Sequence, residues 1–427
     1  MFIRTSVRFH QETMLKASHS PRFAVSRSLA RQWAAGAALC LSTVCAFAFE
    51  SPADGVYNDR IDWGLMMDLS GTASASQIPW VNGVKAYINK VNESGGVNGR
   101  KINLLVEDDR YDAALSRANY EKLMNQTPAL GVSGLGNSSA QAALMNQIRR
   151  SKLPIVGAYA ITRAGLEPPT PTYYAGFCGN KEMAQVGVNA FTDKLKLRAP
   201  KVVTAHMDVA GGKDYADFVA AEVAKRGGTH KALPIKVGAA DVTSQVLEIN
   251  AMKPDFVTVY GVPSPTILLM KTMLQYGLKI PTFSITHLGT PEIYAAIGPE
   301  AGAHYSFVSC FTPADVADAP GVRDMAAAAD KAGFASHKNN VNFVGGWVVG
   351  QLIVEVVTKA GKEPTRDKLM DVLSQTVEMD TKGVTGPVRY APDDRRGMVV
   401  MRPYNYDYKA GKFVAQGNYN DFIKFVK

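Results

Sequence analysis

From Arg60 to Ser374 short apolar segments alternate with helix-length amphipathic ones almost without a break. The first series reads "IDWGLMM", a helix with Val81, Val84, Ile88 and Val91 on its apolar face, "KINLLVEDD", a helix through Leu115, Ala118, Leu123 and Met124, "ALGVSG", a helix over 138–151, and "LPIVGAY". After the proline-rich "LEPPTPTYY" the rhythm restarts. Helices are predicted over 181–197, 213–226, around Val242–Met252 and over 264–276, separated by "KVVTAHM", "ALPIKV", "DFVTVYG" and "IPTFSIT". "YSFVSCF" then leads to helices near 321–333, 341–360 and 367–374, and to a β-rich tail that opens on "GPVRY". Strands separated by helices of this length predict parallel sheets covered on both faces, and two such series predict two doubly wound α/β lobes. In open sheets of this kind a ligand sits at the carboxyl ends of the strands, where strand order reverses.

The first fifty residues break the pattern. Arg4, Arg8, Lys16, Arg22, Arg27 and Arg31 face only Glu12, and the apolar run Trp33–Ala48 ends on Ala46-Phe47-Ala48. This is the composition of a signal peptide over residues 1–48, cleaved near Ala48, and it predicts an exported, periplasmic chain. Met14 is a second candidate start, and Cys40 or Cys45 a weaker candidate for a lipid anchor, since Leu39 and Val44 precede them where a small residue is wanted. No later apolar stretch reads as a membrane span. Six of the 47 Lys/Arg and one of the 38 Asp/Glu lie in this segment, which leaves 41 basic against 37 acidic residues. With so small an excess and no basic stripe, nucleic acid is not an expected partner. Two cysteines remain, Cys178 and Cys310, as a disulfide or as buried thiols.

The loops after the strands exclude several chemistries. "GLGNSSAQ" lacks the third glycine of a dinucleotide fingerprint, and no Walker lysine follows it. "AGGKDY" has Asp214 where a phosphate loop needs Ser or Thr. "GVSGLG" misses a nucleophile elbow because Leu135 replaces the second glycine, so a hydrolase built on Ser133 is only the second alternative. Seven histidines without HExxH, and no CxxC, give no metal site, and no cofactor is expected. The acidic "EDD" at 107–109 reads as a solvated strand end. What remains is binding by dipoles. Asn137, Ser138 and Ser139 open a helix whose free N–H groups favour an anion, although the same residues also serve as ordinary caps.

The stretch "GLMMDLSGTASASQIPWVNGVKAYINKVNESGGVNGRKINLLVEDDRYD" resembles the opening of the branched-chain amino-acid-type solute-binding proteins of ABC importers. "GLGNSSAQAALMNQIRRSKLPIVG", "DFVTVYG", "MLQYGLKIPTF" and "TGPVRY" match the same family. The resemblance implies a type I periplasmic-binding fold, with lobe one at 59–174 plus 312–383 and lobe two at 175–311 plus 384–427. Three crossings would fall near "YYAGFC", "SFVSCF" and "GPVRY", and would place Cys178 and Cys310 on neighbouring strands as a possible disulfide. The ligand positions it implies are Ser76, Gln77 and Trp80 from the first loop, Asn137 and Ser138 from the second, and Tyr159, Ala160, Ile161 and Thr162 from the third. In lobe two they are Asp208, Gly211, Tyr260, Pro263 and His287. The family usually carries an acidic residue near His287 to hold an ammonium. Histidine there suits a carboxyl, hydroxyl or amide instead. The expectation is a monomeric, non-enzymatic carrier that closes on a small, carboxylate-bearing solute, an amino acid or an aromatic or aliphatic acid, and delivers it to a membrane ABC permease. Asn137 and Ser138 would anchor the acid group, Tyr159 and Trp80 pack its body, and His287 with Asp208 read its far end. The first alternative is a ligand-sensing receptor component on the same fold.

Overall fold

A computed structural model describes residues 49–426, so the signal-peptide reading, with Met14, Cys40 and Cys45, lies outside the described residues. The first series forms β1 (Arg60–Met67), α1 (Ser74–Glu93), β2 (Lys101–Asp108), α2 (Ala113–Asn125), β3 (Val132–Gly134), α3 (Ser138–Arg150), β4 (Ile155–Ala158) and β5 (Tyr173–Ala175). The second forms α4 (Asn180–Lys194), β6 (Lys201–Met207), α5 (Ala210–Lys225), β7 (Thr229–Ile235), α6 (Thr243–Met252), β8 (Phe256–Tyr260), α7 (Pro263–Gln275), β9 (Thr282–Ser284), α8 (Pro291–Gly302) and β10 (Tyr305–Ser309). Then come α9 (Pro320–Lys331), α10 (Val341–Lys359), α11 (Arg366–Leu373) and β11 (Val377–Met379). β12 (Val388–Ala391), β13 (Asp394–Gly397), β14 (Arg402–Asp407) and β15 (Lys412–Ala415) complete the strands.

The strands make one sheet per series. The first is ordered β2-β1-β3-β4-β5 and is parallel throughout. The second is ordered β15-β14-β10-β9-β8-β6-β7, parallel except for β14 and β15. Seven of the eight β1 residues are buried, as expected of a strand covered by helices on both faces. Strand order reverses at β1 in the first sheet and at β6 in the second. The register pairs Met67 with Asp108 and Met66 with Gly134, which brings the loops after β1, β2 and β3 side by side.

Three features depart from the sequence reading. α10 is long and apolar enough to cross a membrane, so a later candidate span does exist; its residues are largely buried, however, because it is a core helix wrapped by protein. The segment from 384 onward does not pass directly to the second sheet. β11, β12 and β13 form a small antiparallel sheet beside β5, where Tyr390 stacks on Tyr174 at 4.4 Å and donates to the Ala175 carbonyl at 2.6 Å. The chain joins the second sheet only from β14 onward, with β14 and β15. Third, α5 starts at Ala210 rather than Lys213, which brings its amino end to the gap between the lobes. Cys178 and Cys310 are disulfide-bonded, with their Cα atoms 5.7 Å apart.

α10 crosses α1 at very close range. A methyl group on Gly346 would lie 1.9 Å from the Trp80 carbonyl oxygen, and one on Gly83 would lie 2.1 Å from that of Phe343. Helix propensity alone favours Gly346→Ala by about 1 kcal/mol. The backbone contact opposes it, since overpacking a core typically costs about 1–3 kcal/mol, and more where only backbone can give way. Gly346→Ala is therefore expected to lower the stability measured by urea unfolding by about 2 kcal/mol net; an unchanged or raised midpoint would contradict this packing.

Candidate functional site

The loop after β1 is wound around a carboxylate. Asp68 is fully buried and accepts the backbone N–H groups of Ser70, Gly71 and Ala73, which turns the chain into α1. That turn aims the first residues of α1 at the switch point. Gln77 accepts the Asp68 N–H at 2.7 Å, and Ser76 donates to the Ala73 carbonyl at 2.9 Å. In the loop after β3, Gly134 has φ +99°, a conformation that favours glycine, and Leu135 follows at φ +60°. Asn137 then caps α3 by accepting from Ser139 and Ala140 at 3.0 and 3.1 Å.

The second lobe meets this corner amino end to amino end. The N–H of Gly211 donates to the Ser138 hydroxyl at 3.1 Å, and that of Ala210 to the Ser139 hydroxyl at 3.2 Å. Beside this contact is a cavity of about 30 Å³, lined from lobe one by Ser76, Gln77, Tyr111, Tyr159 and Ala160, and from lobe two by Tyr260 and His287. No Asp, Glu, Lys or Arg is among its lining residues.

His287 is the most constrained member. Its ring stacks on Phe177 at 4.3 Å and meets the Tyr159 ring edge-on at 4.6 Å. Burial holds its pKa far below the usual value, at about 3, so the imidazole is neutral at physiological pH. Its Nδ1 is buried without a hydrogen-bond partner among the described residues. Burial also pushes the Tyr260 phenol up to about 12 and raises those of Tyr159 and Tyr111, so the tyrosines stay protonated too. The cavity is polar and uncharged.

Of the residues that the sequence put forward, Ser76, Gln77, Tyr159, Ala160, Tyr260 and His287 meet at the cavity. Ser138 and Gly211 bridge the lobes beside it. Four others are placed elsewhere. Trp80 is fully buried behind Tyr159, edge-on at 6.0 Å, and is core. Asn137 spends its side chain on capping and on the Tyr111 carbonyl. Thr162 donates inward to Gln141 at 2.6 Å. Asp208 turns to solvent and pairs with Lys213 at 3.0 Å, which lowers its pKa. Ile161 and Pro263 do not line the cavity either. The alternative nucleophile Ser133 is buried between the Trp63 indole and the Val156 carbonyl, with no room for a substrate.

Two contributors were not legible in the sequence. Tyr111 enters from the loop after β2, which had read as a solvated end. Asn342, on α10, accepts from the Tyr159 hydroxyl at 2.8 Å and donates to the His287 backbone carbonyl at 3.0 Å, tying the Tyr159 side chain to the His287 backbone. A larger cavity of about 320 Å³ lies between the 161–169 loop and Phe218, but the buried ion of its wall, Glu182, is already matched by Arg396.

Two open α/β sheets that face each other across such a cavity are what a clamp for small solutes requires, and the periplasmic binding protein family profile matches residues 61–412. The chain belongs to this family. Its members are solute-binding proteins rather than enzymes. Among curated protein sequences none matches. Solved structures of the same fold include a fatty acid ABC transporter substrate-binding protein from Thermomonospora curvata (TM-score 0.76, 21% identity, 87% of this chain and 94% of that one). A branched-chain amino acid ABC transporter protein from Thermus thermophilus with bound valine is similar (0.75, 18%, 84% and 96%). So is a solute-binding protein of R. palustris in complex with 4-hydroxybenzoate (0.72, 17%, 84% and 96%).

The buried imidazole of this periplasmic binding protein predicts a pH dependence. An unfolded His287 binds a proton below about pH 6.5, whereas the folded one refuses it until about pH 3. Its contribution therefore weakens the fold as pH falls through that window and vanishes above it. Half-buried His230, with a pKa lowered to about 4, acts in the same direction. Asp109, raised to about 6 by burial, acts in the opposite one. His287→Phe is expected to remove up to about 2 kcal/mol of the stability lost between pH 7.5 and 5 in urea melts. Identical losses in both proteins would contradict a buried, neutral His287.

Proposed function

We propose that this chain is the exported capture component of an ABC importer, and that its solute is a small organic acid without an ammonium group. The observation that carries the reading is the uncharged cavity at the meeting of two switch points, walled by both lobes. Residues from both lobes are needed if closure is to be driven by the solute. The acid group belongs where α3 and α5 present their amino ends, since a carboxylate there accepts the N–H groups that the two serine hydroxyls now accept. An ammonium finds no carboxylate among the residues that line the cavity, and Asp208 points to solvent.

About 30 Å³ holds no more than a couple of water-sized guests. A solute of ordinary size therefore enters with the lobes apart, and the cavity enlarges around it by hinge motion. The uncharged aromatic walls favour a planar or apolar body. The R. palustris relative with 4-hydroxybenzoate and the Thermomonospora curvata fatty acid protein are acid binders on this fold by their descriptions. Delivery to a membrane permease follows the same reading.

A thermal-shift screen of the ligand-stripped protein tests it, with 4-hydroxybenzoate, benzoate, octanoate, valine, acetamide and urea as probes. A solute at a hundredfold excess over Kd stabilises the fold by about 2.7 kcal/mol, a rise of a few degrees. One or more of the three acids is expected to give that rise. A rise with valine alone would overturn the assignment.

A further inference from the structure

Tyr111 belongs to none of the loops in which binding residues were expected, yet it lines the solute cavity. Its placement is unusual. Arg110 and Tyr111 both have positive φ, +50° and +59°, and neither is glycine. Two consecutive side-chain-bearing residues in the left-handed region persist only where the surroundings hold them, and such strain gathers at functional sites.

Here the surroundings are explicit. Asp109 is fully buried and accepts the Tyr111 N–H at 3.0 Å with one carboxyl oxygen and the Ser116 hydroxyl at 2.9 Å with the other. The Asn137 amide donates to the Tyr111 carbonyl at 2.6 Å. Asp112, next in the chain, caps α2 and donates its own N–H to the Asp109 carbonyl at 2.7 Å. Both backbone polar groups of Tyr111 are thus engaged by its own lobe. Its side chain remains free to line the cavity together with Tyr159 and Tyr260.

We infer that Tyr111 is a specificity-determining residue of the solute site, one that favours solutes carrying an uncharged hydroxyl, and that Asp109 and Asn137 are its positioning residues. This rests on reading the cavity as the solute site. A phenol can both donate and accept, which suits a hydroxyl, and the other residues that line the cavity are uncharged, which suits no second charge. A solute lacking the hydroxyl leaves the buried phenol with nothing to bond, and unpaired buried polar groups are what give such discrimination.

The test compares 4-hydroxybenzoate with benzoate, which differ by one hydroxyl, by isothermal titration of the full exported chain. Wild-type protein is expected to favour 4-hydroxybenzoate about tenfold. In Tyr111→Phe, which keeps the ring, the preference should shrink to within twofold while the melting temperature stays within about two degrees. Asn137→Ala, which frees the loop, should narrow the preference by an intermediate amount. A tenfold preference that survives in Tyr111→Phe overturns the inference, and so does an equal weakening of both probes, which would make Tyr111 a holder of the shared carboxylate. His287→Gln separates the two readings. If it weakens both probes while Tyr111→Phe alters neither, only the role of Tyr111 falls; if neither probe binds the wild type this inference falls, and the cavity reading falls with it where octanoate also fails in the thermal screen.

Discussion

The structure turns on two helices that begin at the same point in space from opposite lobes. Each amino end carries about half a positive charge and several N–H groups with no partner inside their own helix. Brought head to head, like ends repel, so something must accept from both. Asn137 accepts from the first N–H groups of α3, and the hydroxyls of Ser138 and Ser139 accept from Gly211 and Ala210 of α5. A hydroxyl is a weaker acceptor than a carboxylate, so under the proposed function a solute's carboxylate displaces it. Sheet order and loop placement create that meeting.

The cavity beside it is defined by what it omits. Neutral imidazole, protonated phenols, an amide and a serine leave recognition to hydrogen bonds and ring faces. Buried charges are costly unless matched, and this protein keeps its ions where they are matched, as in Arg396 with Glu182 and Asp394. Asn342 adds a mechanical element. By bonding Tyr159 and the His287 backbone at once, it makes the position of one lobe's aromatic wall depend on the other lobe.

Much of this was legible from residues alone, for a physical reason. Parallel strands buried on both faces read as continuous apolar runs, and amphipathic helices repeat with their own period, so the two lobes could be drawn before any contact was known. Tyr159 and Ala160 after β4, Tyr260 at the end of β8 and His287 after β9 could be assigned to the cavity wall because position relative to a strand end is a sequence property. Side-chain direction is not. Trp80 lies one turn beyond Ser76 and Gln77, yet packs behind the wall they form; Asp208 follows a buried strand, yet rotates outward to Lys213. Tyr111 escaped because its loop depends on two positive φ values that no residue type there announces, and Asn342 because a long-range contact from α10 leaves no local pattern. The final strands misled for a similar reason: β12 and β13 pack on β5 through Tyr390, a pairing decided by tertiary contact.

The most direct measurement is a crystal structure of the protein with an acid solute bound. The account predicts the carboxylate between the amino ends of α3 and α5, within hydrogen-bond distance of the Gly211 N–H, with His287 and the tyrosines around the remainder. A solute held anywhere else, with the serine hydroxyls still bonded across the lobes, would contradict it.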